Sequence, residues 1–407
     1  FKYQPQIQRK DESYVKFKRK KQKVKSAKGI TLVVLVITII ILLILATISI
    51  QKLTNTGLFA KAKETRDKTA NAEENQARTL NEYEDELNKY ISGDIKTTVK
   101  KVANNIGSVL STTDNTELED AYGNKIVVPA GFKIVSNSDT SNATTVDKGI
   151  VIEDATSAAT AGSQFVWVPV GKIYTDEQKT ESKAKTITLG RYDFDETTGA
   201  EKTYSGSYVE EDRGDTSTAL KNWGNTIAKN ITNFKTSVVT NGGYYIGRYE
   251  ARTTTTRNSK DDVLTQITER GIDQVYNFVT QSQAAGQAQN MYNSSKFTSD
   301  LMNSYVWDTT ITFIQKCTEQ TNYSRQASLN SIFSPMGTTN DKQCNIFDMA
   351  SNVLEWSTET SNYSDNTCVT RGGFRGYSDV YVNNRMGLNT DVGGSGNGFR
   401  PILYLNF

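Results

Sequence analysis

Asp348 and Glu355 flank a short segment centred on Asn352. Two carboxylates around a tight turn, with backbone carbonyls between them, form the all-oxygen set that a hard cation takes. The same residues also read as a metal-free turn held by hydrogen bonds from the Asn352 side chain. The sequence contains no histidine. That removes the commonest general base, every Ser-His-Asp or Cys-His arrangement and the two-histidine iron centre. Carboxylates and lysines remain as acid–base groups. Cys317, Cys344 and Cys368 show no zinc-type spacing, and an odd count leaves at least one thiol free or paired elsewhere.

A second kind of chemistry is recognition. Between Arg371 and Arg400 runs Phe374-Arg375-Gly376-Tyr377-Ser378-Asp379-Val380-Tyr381-Val382-Asn383-Asn384-Arg385, followed by Leu388-Asn389-Thr390-Asp391. Tyrosine supplies rigid amphipathic area, and Ser, Asn, Asp and Arg supply adaptable polar contacts. The candidate ligand-binding residues are Phe374, Arg375, Tyr377, Ser378, Asp379, Tyr381, Asn383, Asn384, Asn389 and Asp391. Ordinary surface loops are the competing reading. Arg371 and Arg400 read as internal ion-pair partners, and Gly372-Gly373 as a place of tight backbone geometry.

The elements that must hold these residues are mixed. Lys125–Phe132 reads as a short strand and turn. Gln164–Val170 alternates as a half-buried strand, and Gly242–Glu250 reads as another. Ser304–Asp308 leads into a helix through Thr318. Residues 175–218 are polar and read as a loop-like insertion. Residues 93–118 read as a linker, with a short helix around 99–110.

Ahead of this lies an uncharged run from Ile30 to Ile50, made almost wholly of Leu, Ile, Val, Ala and Thr. It has about the length that a helix needs to cross ~30 Å of hydrocarbon. The segment Lys16–Lys28 is densely basic, which keeps it on the cytoplasmic side and sends the C-terminal part outside. Beyond the run, Leu80, Tyr83, Leu87 and Ile91 recur at helical spacing. The net charge of the 407 residues is +2. With so basic a leader, the remainder is mildly acidic, and a partner with a phosphate backbone is not expected.

Gly29 at the junction, with Ile30 after it and basic residues before it, resembles a class III signal, the leader of type IV prepilins and pseudopilins. The resemblance implies cleavage between Gly29 and Ile30 by a prepilin peptidase. The fifth mature residue of that family is usually glutamate; here it is Val34, which cannot make the family's subunit pairing and leaves a minor or tip subunit, or simple membrane retention. The segment Gly57–Glu64 looks like the post-membrane part of prepilin-like proteins from Gram-positive bacteria.

A second resemblance covers about Tyr122 to the C-terminus. Phe165–Pro169, Gly243–Glu250, Asn345–Trp356, Arg371–Phe374 and Gly398–Pro401, in that order, look like the formylglycine-generating-enzyme, or sulfatase-modifying-factor, family, which has a variant C-type-lectin fold. The resemblance implies a structural calcium held by the side chains of Asp348 and Glu355 and the carbonyls of Ser351 and Val353. Ser351 and Leu354 stand where that family has glycine and tryptophan. The family's catalytic members have a cysteine pair soon after Arg-Gly-Gly, or histidines. This chain has neither, so a non-catalytic branch is implied. In layout, the segment after Arg371 also resembles the variable ligand-binding patch of lectin-fold proteins diversified by retroelements.

The expectation is therefore an α+β protein: basic leader 1–29, transmembrane helix 30–50, stalk helix 51–92, linker 93–118 and a C-type-lectin-like domain 119–407. It would sit in the cell membrane as a single-pass, pilus-associated protein, displaying a domain that binds an extracellular protein or glycan. Its other partners would be pilin or pseudopilin subunits. The alternatives are a divergent enzyme of the sulfatase-modifying class and a purely structural pseudopilin.

Overall fold

The computed structural model describes residues 38–46, 99–156, 158–210, 231–265, 267–268, 274–328, 334–361 and 368–406. The chain divides into two compact units, Phe1–Lys96 and Thr97–Phe407. In the first, residues 38–46 are helical, and Leu42, Leu43 and Leu45 are exposed. Among the described residues no helix is long and apolar enough to cross a membrane. The Gly29–Ile30 junction, most of the span 30–50 and the stalk 51–92 lie outside the described residues.

The second unit mixes helices and sheets. Its principal strands are β1 (Phe132–Val135), β2 (Val151–Asp154), β3 (Gln164–Pro169), β4 (Gly243–Gly247), β5 (Phe297–Leu301), β6 (Leu354–Thr360), β7 (Cys368–Arg371), β8 (Arg385–Leu388), β9 (Asn397–Phe399) and β10 (Pro401–Leu405). Its helices are α1 (Ile231–Asn241), α2 (Gln281–Gln289) and α3 (Ser304–Cys317). A six-stranded antiparallel sheet has the order β5-β10-β4-β3-β2-β1. A four-stranded sheet has the order β8-β7-β6-β9, parallel only between β6 and β9.

Successive side chains of a strand point to opposite faces, and here both faces of the larger sheet are apolar. Phe165, Trp167, Tyr245 and Leu403 join one core cluster, while Val166, Val168, Tyr244 and Ile402 join another. β3 is thus buried on both sides rather than half-buried, because its alternate positions are also apolar. The second cluster includes Phe234 and Val238 of α1 and Val306, Ile311 and Ile314 of α3. Val306, Thr309, Thr310, Ile311, Thr312 and Ile314 give α3 many β-branched residues, which are modest helix formers. Burial and the Asn303 cap, whose side chain accepts from Val306 N at 3.0 Å, hold it.

Two stretches are more ordered than the sequence suggests. Lys100–Lys101 pairs with Thr116–Glu119, and Val102 and Leu118 are fully buried, so the chain expected as a linker packs into the domain from residue 100 onward. Only Val102–Asn105, a single 3₁₀ turn, is helical there. In the expected insertion, Lys185–Ile187, Tyr192–Phe194 and Glu201–Thr203 form short strands, anchored by buried Ile187 and Phe194.

Candidate ligand-binding site

The segment between Arg371 and Arg385 leaves the core at the first and returns at the second, and both ends are clamped by one buried charge network. Arg371 donates to Asp308 Oδ1 at 2.5 Å, to Glu359 Oε2 at 3.0 Å and to the Asn384 carbonyl at 2.9 Å. Arg385 donates to Glu359 Oε1 at 2.9 Å and to Asp308 Oδ2. Arg191 adds a bond to Glu359 Oε1 at 2.6 Å. The Tyr204 ring lies 4.5 Å from the Arg191 guanidinium and 4.0 Å from that of Arg385. Burial would raise the Glu359 carboxyl, but the three surrounding arginines win and lower it to about 2. Such a network holds only while every charge keeps its partners.

The returning limb is fixed along its length. Trp307 Nε1 donates to the Val382 carbonyl at 2.8 Å. Val382 N and Asn383 N donate to the carbonyls of Gln326 and Ser324 at 3.0 and 3.1 Å. Tyr381 lies under Arg325, with the guanidinium 3.9 Å from the ring centroid. At the outgoing end, a Cβ added to Gly373 would meet the Ala350 carbonyl oxygen at 1.9 Å, so only glycine fits there.

The tip stays open. Gly376, Tyr377, Ser378 and Asp379 are exposed, Tyr377 by 53%. The Phe374 and Tyr377 rings stack with centroids 5.3 Å apart, and the Arg375 guanidinium lies 4.7 Å from the Phe374 ring centroid. Phe374 also lies against Gly396, which brings the tip to the loop after β8. Asn389 and Asp391 are exposed on that loop, where Lys260 Nζ donates to the Asp391 carbonyl at 3.0 Å. The structure thus gathers Phe374, Arg375, Tyr377, Ser378 and Asp379 at one tip. It places Tyr381, Asn383 and Asn384 in the half-buried stem, and Asn389 and Asp391 on the neighbouring loop.

Beneath the tip lies the turn 348–355. The Arg375 amide donates to the Asn352 carbonyl at 3.3 Å, and the Gly373 amide to Met349 O at 3.1 Å. Asn352 has φ of 66°, and its side chain donates to Glu250 Oε2 at 2.5 Å. Glu250 also accepts from Val353 N at 3.2 Å. Burial, with Asp348 and Glu355 adding to it, pushes the Glu250 carboxyl well up.

The implied calcium ligands do not fit a cation here. Both Glu355 oxygens accept from Arg400, at 2.6 and 3.0 Å. Asp348 accepts from Gly337 N at 3.1 Å, from Ser351 Oγ at 3.2 Å and from Thr339 Oγ1. A cation between Asp348, Glu355 and the carbonyls of Ser351 and Val353 would face the Arg400 charge already seated on Glu355. Among the described residues no cluster of three or more acidic or cysteine side chains is arranged to hold a metal. Cys317 and Cys344 are free thiols, and burial pushes Cys317 up to about 12.

Sequence reasoning missed Asp308, Glu359, Arg385 and Arg191 as the framework of the loop. Their one signal is charge inside otherwise apolar or β-rich stretches, such as Asp308 within Tyr305–Ile314. Compared with protein-family models, curated proteins and solved structures, the chain matches none of them.

Proposed function

We propose that this chain is a surface-displayed, pilin-like protein whose domain binds an extracellular protein or glycan through the loop 374–384 and its neighbour 389–391, without catalysis. The observation that carries the reading is the contrast within one loop. Its stem is locked by Arg371, Arg385, Asp308 and Glu359, while its tip presents Tyr377, Ser378 and Asp379 to solvent, with half-buried Phe374 stacked behind Tyr377. Rigid aromatic anchors on a fixed frame lose little entropy on binding. The order of motifs along the chain supports a variant C-type-lectin architecture. The Gly29–Ile30 junction and the apolar run 30–50 support prepilin-type processing and a single-pass anchor, with the domain outside the cell.

A screen of the full chain against arrayed extracellular proteins and glycans, run beside Tyr377→Ala, tests the reading. Ligands retained by the wild type and lost by Tyr377→Ala are expected. Binding indifferent to Tyr377, or oxygen consumption with a thiol substrate and copper, would overturn it.

A further inference from the structure

A second site lies where the larger sheet curls on itself. β1 and β5 are its opposite edges, yet the rings of Phe132 and Phe297 sit 5.6 Å apart. Tyr292 closes the group, 5.7 Å from Phe132 and 5.4 Å from Phe297. Above these rings opens a cavity of about 590 Å³, a size ordinary for small-ligand sites. Thr112, Thr113, Thr156, Asn293, Ser294 and Ser295 bring hydroxyl and amide groups to its lining. The mouth is braced by Asn115, which accepts from Ala130 N at 3.2 Å and donates to Lys296 O at 2.8 Å, tying together the chain ahead of each edge strand.

We propose that this seam pocket binds a neutral saccharide of about two rings. Three features select that chemistry. Tyr292, half-buried against the covered rings of Phe132 and Phe297, is fixed by its hydroxyl on Asp154 Oδ2 at 3.2 Å, giving one set ring for the C–H face of a sugar. The lining carries hydroxyl and amide groups that donate and accept, matching sugar hydroxyls. Its lysine, Lys296, is neutralised by Asp114 at 2.7 Å, so nothing there selects an anion. The pocket shares no lining residue with the loop 374–391, so the site stands apart from the one proposed above.

The test is saturation-transfer NMR on the full chain in a non-glycosidic detergent, with maltose, cellobiose, lactose and N,N′-diacetylchitobiose. Saturation transfer to at least one neutral disaccharide is expected. It should be lost in Ala159→Trp, which fills the pocket from an exposed rim position, and kept in Tyr377→Ala. If Ala159→Trp alters the melting curve, Ser295→Trp from the other rim replaces it. No transfer to any of the four sugars overturns the inference. So does transfer that survives the filled pocket, or transfer lost with Tyr377→Ala.

Discussion

Replacing Glu359 by glutamine keeps the shape of the side chain and removes the charge of a fully buried carboxylate. Arg191, Arg371 and Arg385 would then share Asp308 as the remaining anion of the cluster. In the folded protein the Glu359 carboxyl falls from its ordinary 4.5 to about 2. At about 1.4 kcal/mol per pH unit, that depression amounts to about 3 kcal/mol. Breaking a buried ion pair from one side independently costs about 3–5 kcal/mol. Because the folded carboxyl is the stronger acid, its contribution is present above pH 4.5 and is lost as pH falls through about 2. All four tryptophans lie in the unit Thr97–Phe407, so tryptophan fluorescence during urea unfolding reports on it. Glu359→Gln should lose about 3 kcal/mol at pH 7, with the gap to wild type closing as pH approaches the folded carboxyl's range. A loss below about 1 kcal/mol at pH 7, or an unchanged gap in acid, would refute the clamp as the source of loop order.

Asp341 gives the opposite sign. Burial raises its carboxyl from 3.8 to about 6 against bonds from Ala350 N and Tyr323. Its contribution is therefore present below pH 3.8 and lost as pH rises through about 6, and Asp341→Asn should flatten the fall in urea midpoint across that window. Chelator should leave the melting temperature within about 1 °C, because Arg400 occupies both Glu355 oxygens; a larger fall that calcium restores would contradict this geometry. Gly29→Leu should block leader processing while leaving membrane insertion intact, read as a mass shift on a blot; unchanged processing would leave only an anchor.

The strands were legible where apolar residues cluster. Gln164–Pro169 and α3 end within one residue of the expected limits, whereas Gly243–Gly247 starts one residue late and ends three residues early. Val102, Leu118, Ile187 and Phe194 were not legible as core, because each is an apolar residue in a polar stretch and its burial depends on distant chain. The exposure of the loop tip was legible by composition, since Gly, Tyr, Ser and Asp together mark a surface loop. Its clamp was not: Asp308 accepts from Arg371 and Arg385 across 63 and 77 residues, Arg191 reaches Glu359 across 168, and no spacing rule links them. The turn at Asp348 read equally as a metal loop or a hydrogen-bonded turn. The choice rests on Arg400 and Glu250, which lie far along the chain on either side.

We propose that binding resides in the open tip and folding in its clamp. The most direct measurement is the affinity of the full chain for a ligand recovered by the screen, before and after Phe374→Ala, Tyr377→Ala and Asp379→Ala are combined. The combined variant should bind with at least a tenfold weaker Kd, about 1.4 kcal/mol, at an unchanged urea midpoint. An unchanged Kd, or a loss of binding that merely follows a loss of fold, would contradict it.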